Sequence, residues 1–256
     1  RVSPAGVKFS LGEGPKSTYG GKGALPSTRM GSAFVIRKAL TEAKEYSAHW
    51  KAFEKKKETD EDAESPKRDL KLEPLSKLLD RSLTAFIECY RIDDIQTALR
   101  LIDEFELKAV LVGGTEGYRI PEEIARRNVP VIVSPFVIGP RRIETQEIEL
   151  ENAARLTRAG VKIAIKAEGS LGIGSLRELP LAAALAVKGG LDRGEALRAI
   201  TLNAAEILGV HDRIGSLEPG KDADIVIFDG DPLHYLTRVE RVIIDGETVF
   251  EKNGSE

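Results

Sequence analysis

The sequence is poor in the features that define several large protein classes. A single cysteine, Cys89, excludes an internal disulfide and favours a reducing compartment, which predicts a cytoplasmic location. No run of about 18 apolar residues occurs, so no transmembrane helix is predicted, and no secretion signal is visible. The formal net charge of -3 over 256 residues is too small to indicate nucleic acid or an anionic membrane as a partner.

Nucleotide fingerprints and histidines are also scarce. No predicted strand is followed by GxGxxG, and no GxxxxGK[ST] is present. The glycines of "GSLGIGSLRELP" (169–180) precede a helix, but a lone glycine-rich turn is weak evidence for phosphate binding. The three histidines are His49, His211 and His234, and none of them follows a predicted barrel strand.

The chain does contain a regular alternation of strand and helix patterns. Short apolar runs alternate with segments of helical periodicity, which predicts parallel strands joined by crossover helices. Strands are predicted at 7–11, 83–88, 108–112, 130–134 and 161–166. Helices are predicted at 31–57, 70–79, 92–105, 120–128, 147–160, 176–190 and 192–209, the last range holding one or two. Five such strands fit an open doubly wound sheet and also the last five strands of an eight-stranded barrel.

Two segments depart from this alternation. The charged stretch "EKKKETDEDAESPKRD" (54–69) has no apolar face, which predicts a solvated helix end and a flexible loop. Near the C-terminus, "ADIVIFD" (223–229) and "VERVIIDGETVFE" (239–251) predict short strands, the second range forming a hairpin at "DG". These strands indicate a small β-subdomain.

The segment "ITLNAAEILGVHDRIGSLEPGKDADIVIFDGDP" (200–232), followed by "VERVIIDGETVF" (239–250), resembles the C-terminal signature of the amidohydrolase superfamily, in its imidazolonepropionase-like branch. Segments 6–31 and 91–135 resemble that branch too, so the resemblance covers nearly the whole chain except 54–69.

The resemblance implies an α/β fold in two parts. Residues 1–209 would form strands four to eight of a TIM-like (β/α)₈ barrel, and residues 210–256 part of a small β-sandwich. Barrel strands one to three and the first sandwich strands would lie outside this sequence. We therefore expect another segment or another chain to supply them, because five parallel strands leave two unpaired edges.

The family's chemistry depends on zinc or another divalent metal at the carboxyl ends of the barrel strands. The metal lowers the pKa of a bound water, and a carboxylate takes the water's proton. By resemblance, histidine-ligand positions hold Glu88 and Tyr90 in "ECYR" and Gly113 in "LVGGTEGY", and the family aspartate position holds Glu168 in "IKAEG". We expect these four residues to line one pocket that binds no metal.

Other roles for these residues stay open. Glu168 is a candidate general base or the partner of a nearby cation. Glu88 and Cys89 could join Glu168 in a crude metal site. Alternation along the strand instead points Cys89 away from Glu88 and Tyr90, towards a covering helix.

Lys8 and Glu13 lie near the end of the first strand, where some superfamily members carry a bridging lysine or glutamate. Each is either such a group or a structural salt-bridge partner.

Two functions are therefore compatible with the sequence. The first is a catalytically degenerate relative of enzymes that hydrolyse C–N bonds of cyclic amides, imidazolones or acyl dipeptides, kept as a subunit, binding module or scaffold. The alternative is an active metal-dependent C–N hydrolase whose remaining ligands come from an N-terminal region. A small-molecule ligand and a homo- or hetero-oligomeric state are compatible with both.

Overall fold

The computed structural model describes residues 5–135, 143–167 and 178–252. The chain divides into two compact units, residues 1–112 and 113–256. This division differs from the barrel and sandwich boundary predicted at residues 209 and 210, which stays a prediction.

The strands follow one another in sequence order. They are β1 (Gly6–Ser10), β2 (Thr84–Cys89), β3 (Ala109–Gly113), β4 (Val131–Val133), β5 (Ile163–Ile165), β6 (Ile225–Phe228), β7 (Val239–Ile244) and β8 (Glu247–Glu251). The parallel sheet has the order β1-β2-β3-β4-β5, and a separate antiparallel sheet has the order β6-β7-β8. Doubly wound sheets reverse their strand order at a switch point, whereas barrel strands follow one another without reversal. The observed order is therefore that of a barrel segment.

The helices accompany these strands in the predicted alternation. They are α1 (Glu13–Gly20), α2 (Arg29–Lys57), α3 (Leu72–Leu79), α4 (Ile92–Phe105), α5 (Pro121–Ala125), α6 (Asn152–Arg158), α7 (Leu179–Lys188), α8 (Arg193–Ile200) and α9 (Leu202–Leu208). None of the helices in the described ranges is both long enough and apolar enough to cross a membrane.

The first unit places β1 beside β2 in parallel, with Ser10 opposite Glu88 and Lys8 opposite Phe86. Helix α4 buries Ile95, Leu99 and Ile102, which recur at helical spacing and form its core-facing stripe. The unit's largest fully buried side chains are Leu40, Leu78, Ile87, Ile95, Leu99, Leu101 and Leu111. This packing holds the carboxyl ends of β1 and β2 together.

The structure corrects one local prediction in this unit. Residues 13–20, predicted to belong to a long loop, form helix α1. Pro15 lies in its first turn, where a missing N–H costs little, and the hydroxyls of Ser17 and Thr18 donate to the carbonyl of Gly14. The charged segment follows its prediction more closely, because residues 58–71 contain neither helix nor strand.

The second unit builds its core around β4 and β5, which are parallel, with Val131 opposite Ile163. Asn203 of α9 donates its side-chain N–H to the carbonyl of Ile163, 3.1 Å away. At the C-terminus, the predicted hairpin joins β7 to β8, and its turn residues Asp245 and Gly246 have φ values of 51° and 82°. Paired positive φ values are typical of the hairpin turn that Asp-Gly favours, so this prediction is confirmed.

Candidate functional site

Four side chains meet at the carboxyl ends of β1 and β2 in the first unit. The Glu88 Oε2 atom accepts a hydrogen bond from Ser10 Oγ at 2.9 Å and forms an ion pair with Lys8 Nζ at 2.8 Å. The other oxygen, Oε1, accepts the Tyr90 hydroxyl at 2.7 Å. We call these residues the Glu88 cluster. It confirms that Glu88 and Tyr90 point the same way and that Lys8 forms a salt bridge.

Strand alternation explains how this cluster forms. Lys8 and Ser10 are two positions apart on β1, as Glu88 and Tyr90 are at the end of β2, so each pair shares a face. The parallel register then sets Ser10 opposite Glu88. The sequence analysis did not identify Ser10, although its spacing from Lys8 places both side chains on one face. The register between β1 and β2 cannot be predicted from either strand alone, and Ser10 and Glu88 are 78 positions apart.

The cluster strongly favours the ionised form of Glu88. Burial opposes ionisation of the carboxyl, but hydrogen bonds from Lys8, Tyr90 and Ser10, with the charge of Lys8, outweigh it and lower the pKa of Glu88 from 4.5 to about 2. The Glu88 side chain is 23% exposed, whereas that of Lys8 is 64% exposed. The carboxylate is thus enclosed, and the ammonium remains in contact with solvent.

The depressed pKa of Glu88 predicts a pH-dependent contribution to stability. The contribution is fully present above pH 4.5 and is lost as pH falls from 4.5 to about 2, because the unfolded carboxyl takes up its proton first. We expect Glu88→Gln to cost about 1 to 3 kcal/mol at pH 7 and progressively less across this window. Urea unfolding at a series of pH values measures the difference.

The control for this prediction is Glu104→Gln, which removes an exposed ion pair with Arg37. Exposed pairs contribute about 0 to 1 kcal/mol, so this variant should differ little from the wild type at any pH. A Glu88→Gln deficit that stays constant from pH 7 to pH 2 would contradict the assignment.

Cys89 lies on the opposite side of the strand from Glu88 and Tyr90. Its side chain is 0% exposed, and burial together with the charges of Asp94 and Glu88 raises the pKa of the thiol. The prediction that Cys89 is buried is confirmed. Cys89 therefore does not present a thiolate beside the Glu88 carboxylate.

In the second unit, the "GGTEG" segment turns sharply at the end of β3. Gly113 has a φ of 101° and Gly114 a φ of 53°, values that residues with a side chain rarely adopt. A Cβ on Gly114 would also lie 2.7 Å from Val131 Cγ1. Both positions thus have backbone conformations that favour glycine. The interpretation of Gly113 as a vacated histidine position stays a prediction from the resemblance.

Gly113→Ala is therefore expected to destabilise the protein by about 1 to 3 kcal/mol, because the new side chain is strained at a φ of 101°. Gly117→Ala is the matched control in the same segment. Its Cβ would meet Leu156 Cδ2 at 3.4 Å, an ordinary contact, so we expect a smaller loss. Thermal unfolding of both variants measures the difference, and equal losses would contradict the backbone argument.

Contacts from α6 and residue 147 hold this turn in place. Asn152 of α6 donates to the carbonyl of Gly114 at 2.9 Å. Arg119 forms ion pairs with Glu116 and Glu147 at 3.5 and 3.0 Å. Asn152 was predicted only as part of a helix, because its contact with Gly114 depends on tertiary packing. These contacts stabilise the backbone conformation of the turn.

Three of the predicted positions remain, namely Glu168, Gly113 and Glu13. Glu168 lies outside the described residues. Gly113 belongs to the second unit, so the predicted pocket of four residues stays a prediction. Glu13 forms an ion pair with Lys16 at 3.0 Å, as its structural interpretation expects.

The side chains of the described residues do not form a catalytic metal centre. Zinc enzymes use about three protein ligands and keep an open position for water. Across 5–135, 143–167 and 178–252, no group of three or more His, Cys, Asp and Glu side chains is arranged to hold a metal ion. In the Glu88 cluster, both carboxylate oxygens already bind donors, and Cys89 faces the core. The crude site proposed from Glu88 and Cys89 is therefore not formed by these two residues.

Comparisons with known proteins identify relatives over most of the chain. The model of the amidohydrolase family matches residues 35–249. The crystal structure of an amidohydrolase from Thermotoga maritima MSB8 superposes with a TM-score of 0.89 and 37% identity, covering 98% of this chain and 64% of that chain. The imidazolonepropionase of Geobacillus kaustophilus (strain HTA426) is 43% identical over 79 residues, which are 30% of this chain and 19% of that protein.

A more distant structure shares the fold. It is an adenosine deaminase from Xanthomonas campestris with bound zinc, with a TM-score of 0.55 and 21% identity, covering 96% of this chain and 60% of that chain. The present chain thus spans less than two thirds of each of these three proteins. The predicted fold class, a partial TIM-like barrel with part of a small β-sandwich, is confirmed by the Thermotoga structure. The chain belongs to the amidohydrolase family, in its imidazolonepropionase-like branch.

Proposed function

We propose that this chain is a catalytically degenerate member of the amidohydrolase family that does not hydrolyse C–N bonds with a bound metal. The observation that carries the proposal is the Glu88 cluster. A metal ligand at the end of a barrel strand offers a lone pair and negative charge to the ion. In Glu88, Oε2 already accepts from Ser10 and pairs with Lys8, and Oε1 accepts from Tyr90, so most of this capacity is used within the protein. The Glu88 carboxylate is thus stabilised by groups of the protein itself.

The same arrangement removes the source of a nucleophile at neutral pH. A metal-bound water is acidic enough to supply hydroxide near pH 7, whereas free water is not. Neither an ammonium nor a phenol hydrogen bonded to a carboxylate lowers the pKa of a nearby water in that way. Glu168 remains a proposed general base or pocket carboxylate, and a base without an activated water supports little amide hydrolysis.

Metal content and turnover of the native protein, with its natural N-terminus, test this proposal. We expect zinc, manganese and iron each to be far below one ion per chain. We also expect cyclic imides, imidazolones and N-acyl dipeptides to be hydrolysed at the background rate. Stoichiometric metal with chelator-sensitive turnover would overturn the proposal. It would favour an active hydrolase whose ligands come from residues outside this sequence.

Glu168→Gln adds a control to this assay. If a slow turnover is present and Glu168→Gln abolishes it without reducing metal content, then Glu168 acts as a base in a working site. If the residual turnover is the same in both proteins, it does not come from this carboxylate.

The remaining parts of the proposal concern setting and partners. The single cysteine supports a reducing compartment such as the cytoplasm. We propose a role as a subunit, binding module or scaffold, with a small molecule or other protein subunits as partners. Size-exclusion chromatography with light scattering of the native protein tests the oligomeric part of this role.

A further inference from the structure

The Glu88 cluster contains a cation that belongs to the protein. Lys8 Nζ lies 2.8 Å from Glu88 Oε2, and Ser10 Oγ lies 2.9 Å from the same oxygen. Tyr90, which is buried, donates to the second oxygen at 2.7 Å. The carboxylate therefore has one charged and two neutral donors, all of them in the first unit.

We propose that Lys8 is a built-in cation that closes this strand end to divalent metal ions. The inference deepens the proposed function, on which it rests, by naming the residue that determines it. A metal ion on Glu88 Oε2 would have to bind an oxygen already contacted by an ammonium, and the two positive charges would repel each other at short range. The ammonium thus excludes the ligand class that a strand-end carboxylate would otherwise attract.

The geometry distinguishes Lys8 from an ordinary surface lysine. Lys8 lies two positions before Ser10 on β1, so both side chains share a face, and the strand register sets Ser10 directly opposite Glu88. Its side chain is 64% exposed, so the ammonium stays in contact with solvent. Loss of Lys8 would leave an ionised, largely enclosed carboxylate with only two hydroxyl donors. Such a carboxylate opens to solvent on the side that the ammonium occupied.

Divalent-ion binding by position-8 variants tests this role, with Mn²⁺ as the probe and isothermal titration calorimetry as the measurement. We expect Lys8→Ala to bind Mn²⁺ at least about tenfold more tightly than the wild type, because a repelling charge is gone. Lys8→Arg keeps the charge and should match the wild type. The double variant Lys8→Ala/Glu88→Gln should lose the gain, because the neutral amide no longer attracts the ion.

A second pair of variants protects the test against a folding defect. Lys8→Met keeps most of the side-chain volume without the charge and should show the same gain as Lys8→Ala. Adding Tyr90→His to Lys8→Ala places an imidazole on the same face as Glu88 and should tighten Mn²⁺ binding further. Urea unfolding confirms that each variant is folded before titration.

Two results would overturn the inference. The first is folded Lys8→Ala and Lys8→Met proteins whose Mn²⁺ affinity equals that of the wild type. The second is a gain that persists when Glu88 is replaced, because the ion would then bind elsewhere. Failure of the proposed function is seen separately, in the metal content and turnover of the wild type. A purely structural salt bridge would change stability in these variants but leave their Mn²⁺ affinity unchanged.

Discussion

Replacing Asp94 with alanine is expected to lower the free energy of unfolding by about 3 to 5 kcal/mol. Asp94 lies in the first turn of α4, and its carboxylate forms an ion pair with the guanidinium of Arg29 at the start of α2. The Asp94 side chain is only 5% exposed and that of Arg29 only 22%. Removal of one partner leaves a poorly solvated charge with reduced compensation, which is why the expected loss is large.

Asp93→Ala is the matched control, because Asp93 precedes Asp94 in the same helical turn and is exposed. Its carboxylate contacts Arg91 at 3.2 Å on the surface. Both variants remove one negative charge from the N-terminus of α4, so they share the helix-dipole effect, and Asp93→Ala should cost less than about 1 kcal/mol. Urea unfolding of both variants measures the difference. Similar losses would show that the Arg29–Asp94 pair contributes nothing specific.

A double-variant cycle separates the pair from its surroundings. Arg29→Ala/Asp94→Ala should be less destabilised than the sum of the two single variants, because the double variant leaves no isolated partner. Strict additivity would mean that each side chain acts through other contacts.

The second large effect concerns the chemical reactivity of Cys89. We expect the native protein to react with a disulfide reagent such as Ellman's reagent at least about a thousandfold more slowly than the unfolded chain. The thiol is fully buried, its pKa is raised by burial, and access requires an opening that costs several kcal/mol. Colorimetric measurement of thiol release, with and without denaturant, gives both rates on one protein.

A cysteine introduced at an exposed position provides the control. Ser17→Cys in a Cys89→Ala background places a thiol on the exposed surface of α1, and it should react in the native state almost as fast as in the unfolded chain. Rapid reaction of Cys89 in the folded wild type would contradict its burial. Protection of that reaction by added zinc would identify Cys89 as a metal ligand and revive the crude metal site.

The sequence by itself determined the local structure and the family of this protein. Periodicity placed α4 and the five parallel strands to within a few residues, because each pattern is contained in one short segment. Asp245 and Gly246 predicted the hairpin turn for the same reason, since the required φ values depend on these two residues. Strand alternation also separated Cys89 from Glu88, and the long C-terminal signature identified the amidohydrolase family without any knowledge of packing.

Only the tertiary structure decided how distant residues are paired. Lys8 and Ser10 meet Glu88 across 80 and 78 positions, and Arg29 meets Asp94 across 65. The local sequence around one residue does not identify its distant partner, because strand register and helix packing result from the burial of whole apolar faces. Asn152 likewise contacts the carbonyl of Gly114 across 38 positions. The sequence therefore predicted that ligand positions have changed, whereas the fold showed that Lys8 pairs with Glu88, because contact between distant charges is set by packing.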